Sequence, residues 1–213
     1  MASSVVKPGD KDILIAVDVQ YDFMPGGALA VNEGDMVIPV INALAARFPH
    51  AILTQDWHPA GHSSFASSHP GAKPFETIKS RYGGQTLWPD HCVQGTRGAE
   101  LSVELLPGKW ELIVRKGHNM AIDSYSAFFE NDRKTPTGLG GYLKERGFTR
   151  LFLAGLATDY CVMYSALDGR NSGFEVFVIE DACRGIDLGG SLAEAWKKMG
   201  AAGVGRIFSG QIA

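Results

Sequence analysis

Apolar and β-branched residues recur along the chain in six short runs, at 13–17, 51–54, 112–114, 151–154, 176–179 and 204–208. Such brief runs between polar or turn residues have the pattern of strands buried on both faces. Helix-like stretches lie between several of them, at 35–48 (apolar Met36, Val37, Val40 and Leu44), 138–146, 158–170 and 191–199. Strand and helix in alternation predict a mostly parallel sheet of about six strands, and right-handed crossovers then place helices on both of its faces. The expected fold class is therefore α/β, a three-layer sandwich forming one domain over residues 1–213.

One segment breaks this rhythm. Residues 57–108 are polar, contain His58, His62, His69 and His91, and are punctuated by Pro59, Pro70, Pro74 and Pro89. Loops this long in a compact domain are usually functional or disordered, and the aromatic and histidine content argues against disorder. An ordered flap beside the active site is the expectation.

Composition narrows the function. With 45% hydrophobic and 20% charged residues the chain is globular, and a net charge of -3 provides no basic surface for nucleic acid or anionic lipid. Three cysteines without CxxC spacing, Cys92, Cys161 and Cys183, argue against a disulfide scaffold and suit a reducing compartment. No apolar leader precedes residue 13 and no run is long enough to span a bilayer, so a cytoplasmic protein is expected.

In an open parallel sheet, ligands bind beyond the carboxyl ends of the strands. The residues found there are Asp18, then Asp56-Trp57-His58, then Arg115-Lys116-Gly117, then Thr158-Asp159-Tyr160-Cys161. Cys161 is the candidate nucleophile, because Thr158 or Asp159 can cap a following helix whose first-turn dipole and free N–H groups favour thiolate. The same N–H groups can face an oxyanion, where each donor contributes roughly 3 kcal/mol to the transition state. Asp18 can take the thiol proton and Lys116 can balance the charges. Asp56 and His58, two apart in an extended segment, point to one side and can share a cation. His91 from the long loop can complete a two-histidine, one-carboxylate set, with His62 a candidate fourth ligand and Cys92 an alternative to His91. His69 and Cys183 rank below these. No GxGxxG follows a strand, which removes a dinucleotide site.

Taken in order, Val17-Asp18-Val19-Gln20-Tyr21-Asp22-Phe23, Gln55-Asp56-Trp57-His58-Pro59, Trp88-Pro89-Asp90-His91-Cys92, Arg115-Lys116-Gly117, Asp123-Ser124-Tyr125-Ser126-Ala127-Phe128 and Gly155-Leu156-Ala157-Thr158-Asp159-Tyr160-Cys161-Val162 make the chain resemble the isochorismatase-like cysteine hydrolases. Within that superfamily it is similar to the nicotinamidases/pyrazinamidases. The resemblance covers nearly the whole chain. It implies a catalytic triad at Asp18, Lys116 and Cys161, and an oxyanion hole from Ala157 and Cys161 beside a cis Leu156–Ala157 peptide. It also implies a divalent metal ion at Asp56, His58 and His91, and a pocket walled by Phe23, Trp88, Tyr125, Tyr160 and Leu156. The implied reaction is hydrolysis of nicotinamide to nicotinic acid and ammonia through a cysteine thioester, in NAD salvage, with pyrazinamide as a further substrate. Zinc is the expected metal, with iron or manganese also compatible with the donors. The partner is the small-molecule substrate, without nucleic acid or membrane, and a homo-oligomer is left open. The alternative reading is another small-amide or isochorismatase-like hydrolase. Isochorismatases usually lack the nucleophilic cysteine and the metal site that this chain carries.

Overall fold

The computed structural model describes residues 5–213. Each apolar run becomes a strand, with edges that differ from the sequence pattern. In chain order the elements are β1 (Asp12–Val17), α1 (Val37–Ala45), β2 (His50–Asp56), β3 (Thr77–Ser80), β4 (Gly83–Thr86), β5 (Ile113–Lys116), α2 (Leu139–Glu145), β6 (Arg150–Leu156), α3 (Met163–Asn171), β7 (Glu175–Arg184), α4 (Ser191–Ala201) and β8 (Gly205–Ile207). Six strands form one sheet in the order β5-β2-β1-β6-β7-β8, and every neighbouring pair is parallel.

Period-two alternation along β1 divides the core. Leu14 and Ala16 pack with Val37, Ile41 and Leu44 of α1, whereas Ile13, Ile15 and Val17 pack with Leu139 and Leu143 of α2, Met163 and Ala166 of α3, and Ala195 and Met199 of α4. One helix on one face and three on the other make the three layers. From β1 the chain steps outward to β2 and β5, then returns to the other side of β1 as β6 and continues outward to β7 and β8. The crevice where that direction reverses, between β1 and β6, is where open α/β sheets bind ligands.

Several details depart from the sequence pattern. Residues 158–170 are not one α-helix: Thr158–Val162 forms a π turn that leads into α3. α1 is preceded by a 3-10 turn at Gly34–Met36 and ends at Ala45, short of the expected residue 48. β5 runs to Lys116, so this lysine closes the strand rather than following it. The 57–108 segment contains the antiparallel β3–β4 hairpin, which its glycine-rich, weakly alternating sequence does not signal. Among the described residues no helix is long and apolar enough to cross a membrane.

Gly155 shows how closely the two central strands approach. It has φ +119, and a Cβ there would lie 2.2 Å from the Val17 carbonyl oxygen. Gly141 is exposed on α2, and a Cβ added to it would meet nothing within 4 Å. Gly155→Ala is therefore expected to destabilise the fold by about 3 kcal/mol or more, from backbone overlap plus left-handed strain. Gly141→Ala should stabilise it by about 0.5–1 kcal/mol through lower unfolded-chain entropy. Urea unfolding of both variants measures the contrast.

Candidate active site

Four adjacent strand ends deliver four polar side chains to one point. Lys116 closes β5, Asp56 closes β2, Asp18 follows β1, and Cys161 sits in the π turn after β6. The Lys116 side chain is fully buried. Its Nζ lies 2.9 Å from Asp18 Oδ2 and donates to Asp56 Oδ1 at 3.1 Å, to the Ser124 carbonyl at 2.9 Å and to Cys161 Sγ at 3.3 Å. Asp18 has φ +49 and is held from β2, where the Thr54 hydroxyl donates to Oδ1 at 2.6 Å and accepts the Asp18 N–H at 3.1 Å.

The charges follow from this packing. Burial works against the Lys116 ammonium, but Asp18 and Asp56 outweigh it and hold the group well above its usual range. Burial lifts Asp18 above the ordinary carboxylate value; Lys116 opposes that shift and Asp56 reinforces it. Burial also pushes the Cys161 thiol well up, against Lys116 and with Asp18 and Asp56 adding to the rise. Burial thus opposes the thiolate that a helix dipole was expected to favour, and the expected need for a base stands. Neither Thr158 nor Asp159 caps the helix. Asp159 instead accepts from the backbone N–H groups of Ile186 at 3.0 Å and Asp187 at 2.8 Å and from the Ser191 hydroxyl, tying the 186–191 segment to the turn that bears the thiol.

Beside this cluster, ligand atoms of buried Asp56, His58 and His91 all lie within 4.8 Å of one another. His58 Nε2 is 3.0 Å and His91 Nε2 3.4 Å from Asp56 Oδ2. Each ring turns its other nitrogen to a backbone carbonyl, His58 Nδ1 to Gly117 at 2.9 Å and His91 Nδ1 to Pro89 at 2.8 Å. With Nδ1 engaged by a carbonyl, each ring presents its Nε2 to the same carboxylate, the supporting arrangement typical of metal-binding histidines. The donor set therefore fits a divalent ion. Gly117 (φ +68) is required for the approach, since a Cβ there would stand 2.5 Å from the His58 ring. His62 falls in a second group with His58 and Asp123. Its Nδ1 pairs with the Ser64 hydroxyl at 2.8 Å and its Nε2 with the Asn119 carbonyl at 2.8 Å, so both nitrogens already have protein partners. Cys92 is fully buried, and neither it nor His69 belongs to either group.

A small cleft opens onto Cys161, Asp56 and His91. Phe23, Trp88, Tyr125 and Tyr160 line it, together with Ala157, directly after the cis Leu156–Ala157 peptide. Trp88 meets Tyr160 edge-on at 4.8 Å between ring centroids and donates from its indole to the Tyr125 hydroxyl at 3.2 Å. Leu156 is the one expected pocket residue that the cleft does not include; it lies fully buried in the core. Leu29, Asp123 and Ile186 also line the cleft. Sequence reasoning gives them no role, because a wall residue on a loop has no periodic signature.

Gln20 is a supporting residue that sequence reasoning likewise misses. Its amide oxygen accepts the Asp56 N–H at 2.7 Å, and its NH2 donates to the carbonyls of Asp56 at 2.8 Å and Ala99 at 2.9 Å. A buried side-chain amide thus fixes the backbone of the residue shared by the lysine cluster and the histidines.

The protein-family model described as the isochorismatase domain matches residues 12–207. A nicotinamidase of Acinetobacter baylyi is 53% identical over 207 residues, covering 97% of this chain and 97% of the relative. Among solved structures, a nicotinamidase/pyrazinamidase of Acinetobacter baumanii superposes with a TM-score of 0.94 at 54% identity, covering 95% of this chain and 98% of its own. The pyrazinamidase of Pyrococcus horikoshii in complex with zinc gives a TM-score of 0.76 at 36% identity, covering 93% and 99%. With the family match spanning the whole sheet and both strand-end clusters, the chain belongs to the isochorismatase family.

Proposed function

We propose that the protein is a nicotinamidase that hydrolyses nicotinamide to nicotinic acid and ammonia through a thioester on Cys161, a step of NAD salvage. The observation that carries this reading is the buried Lys116 ammonium 3.3 Å from Cys161 Sγ, ion-paired with Asp18 and hydrogen-bonded to Asp56, with Cys161 and Asp56 lining a small aromatic cleft. The names of the close relatives support the same substrate.

In this reading Asp18 takes the thiol proton while Lys116 holds the separated charges in place. The thiolate attacks the carboxamide carbon, and the oxyanion is received by backbone N–H groups of Ala157 and Cys161. Asp18 returns its proton to the departing ammonia, then takes one from the water that hydrolyses the thioester. Aromatic walls suit a flat pyridine ring, and pyrazinamide, with a ring nitrogen in the same relation to the carboxamide, is a second substrate. Asp56, His58 and His91 would hold the divalent ion, which supplies a Lewis-acidic anchor for the ring nitrogen. Two imidazoles and a carboxylate suit zinc, the metal bound by the Pyrococcus relative. Residues 57–108 are then the insertion, within a single hydrolase domain, that carries His58 and His91. Three unpaired cysteines accord with a cytoplasmic setting.

Cys161→Ala should lower ammonia release from nicotinamide by about 10⁴-fold or more while the bound metal is retained, as expected for loss of a nucleophile. Wild-type turnover by that variant, in a coupled ammonia assay, would rule out the covalent route. His58→Ala should lose metal, measured by elemental analysis of the purified protein, and weaken nicotinamide binding; normal metal content would remove His58 from the ligand set. The working base is the Asp18 carboxylate, and its folded pKa is raised, so activity should disappear as pH falls through that raised value. The acidic limb of the kcat/KM profile is accordingly expected above about pH 4, the ordinary carboxylate range. A limb below that range would be inconsistent with Asp18 as the base.

A further inference from the structure

We propose that Asp22 is a positioning residue for the metal centre, holding His91 in ligating position through the backbone of Cys92. The inference rests on the reading that Asp56, His58 and His91 hold a divalent ion. Asp22 is half-buried in the 3-10 turn Tyr21–Phe23, and its carboxylate serves backbone donors from two other loops. Oδ2 accepts the Cys92 N–H at 2.7 Å, and Oδ1 accepts the Ala28 N–H at 3.2 Å. The Asp22 carbonyl accepts the N–H of Leu29, a cleft residue, at 3.0 Å.

Two further features show that this carboxylate is built into its place. Cys92, directly after His91, has φ +48, a left-handed conformation that a residue with a side chain adopts only when its surroundings impose it. The charge-assisted bond from its N–H to Asp22 is such a constraint. Gly98 packs so tightly against the same carboxylate that a Cβ would come within 2.1 Å of Asp22 Oδ2 and 2.3 Å of Oδ1. The loops around residues 28, 92 and 98 therefore converge on one side chain. The internal bond from His91 Nδ1 to the Pro89 carbonyl orients the ring within its own loop. Backbone bonds from the His58 N–H to the Cys92 carbonyl at 3.0 Å and from the Gln94 N–H to the His58 carbonyl at 2.8 Å tie that loop to the end of β2. The Asp22 bond adds the tie to the end of β1 and, through Phe23, edge-on to His91 at 5.6 Å, to the cleft wall.

The test is zinc affinity of the metal-free full chain, measured by competition with a chromophoric chelator, alongside the rate of Cys161 alkylation by iodoacetamide. Asp22→Ala should weaken zinc binding about 10–100-fold, the usual cost of losing support behind a ligand, with the alkylation rate unchanged. Gly98→Ala, which displaces the carboxylate without removing it, should fall in the same direction. Asp22→Asn keeps an acceptor oxygen for Cys92 and should recover most of the affinity. Wild-type zinc affinity in Gly98→Ala and Asp22→Ala overturns the proposal, as does a parallel loss of affinity and alkylation, which would signal general disruption. A wild-type chain that binds no zinc fails one step earlier, at the metal reading itself.

Discussion

The site depends on a buried ammonium. Lys116 Nζ is enclosed by two carboxylates, a carbonyl and a thiol, and each of these partners arrives from a different part of the chain. An unpaired charge at that depth would carry a large desolvation penalty, and removing one partner from such a pair typically costs about 3–5 kcal/mol because the other charge is left stranded. The groups consequently define one another's protonation. Asp18 and Asp56 favour the charged form of Lys116, and Lys116 in turn offsets part of the rise that burial gives Asp18.

Asp56 links this cluster to the histidines by dividing its two oxygens. Oδ1 accepts from Lys116, while Oδ2 faces the Nε2 atoms of His58 and His91. His58 and Lys116 together hold its carboxyl well below the usual range in spite of burial, so it stays anionic toward both neighbours. In the proposed reading, nucleophile activation and cation binding share a residue whose position is fixed by the Gln20 amide and by pairing with β5 at Lys116. A shift of Asp56 toward either cluster would be felt in the other.

Much of this is legible in the sequence because strand ends can be found from apolar runs, and in a parallel sheet strand ends lie side by side. Asp18, Asp56, Lys116 and Cys161 stand out for that reason, as does the Asp-x-His pair. Other features leave no such trace. Gln20 reaches Asp56 across 36 positions and Asp22 reaches Cys92 across 70, and a side chain that bonds to distant backbone produces no periodicity. Leu29 and Ile186 look like ordinary loop residues until the loops are folded against the cleft. Asp159 misleads on local grounds: its position suggests a helix cap, but the 186–191 segment competes successfully for its carboxylate. His62, a candidate fourth ligand by sequence, stands beside His58 and Asp123, with its ring nitrogens engaged by Ser64 and Asn119.

The reversal of chain direction at the centre of the sheet has a consequence for how the protein is made. β1 and β6 are neighbours, yet Asp12 and Arg150, paired across them by two charge-assisted bonds, are 138 positions apart. Closing so long a loop is entropically costly before its contacts form, which favours late docking of β6. A chain that extends only through β1, β2 and β5 carries Asp18, Asp56 and Lys116 but not yet Cys161. The four strand-end side chains thus come together only once β6 and the turn after it have joined the sheet.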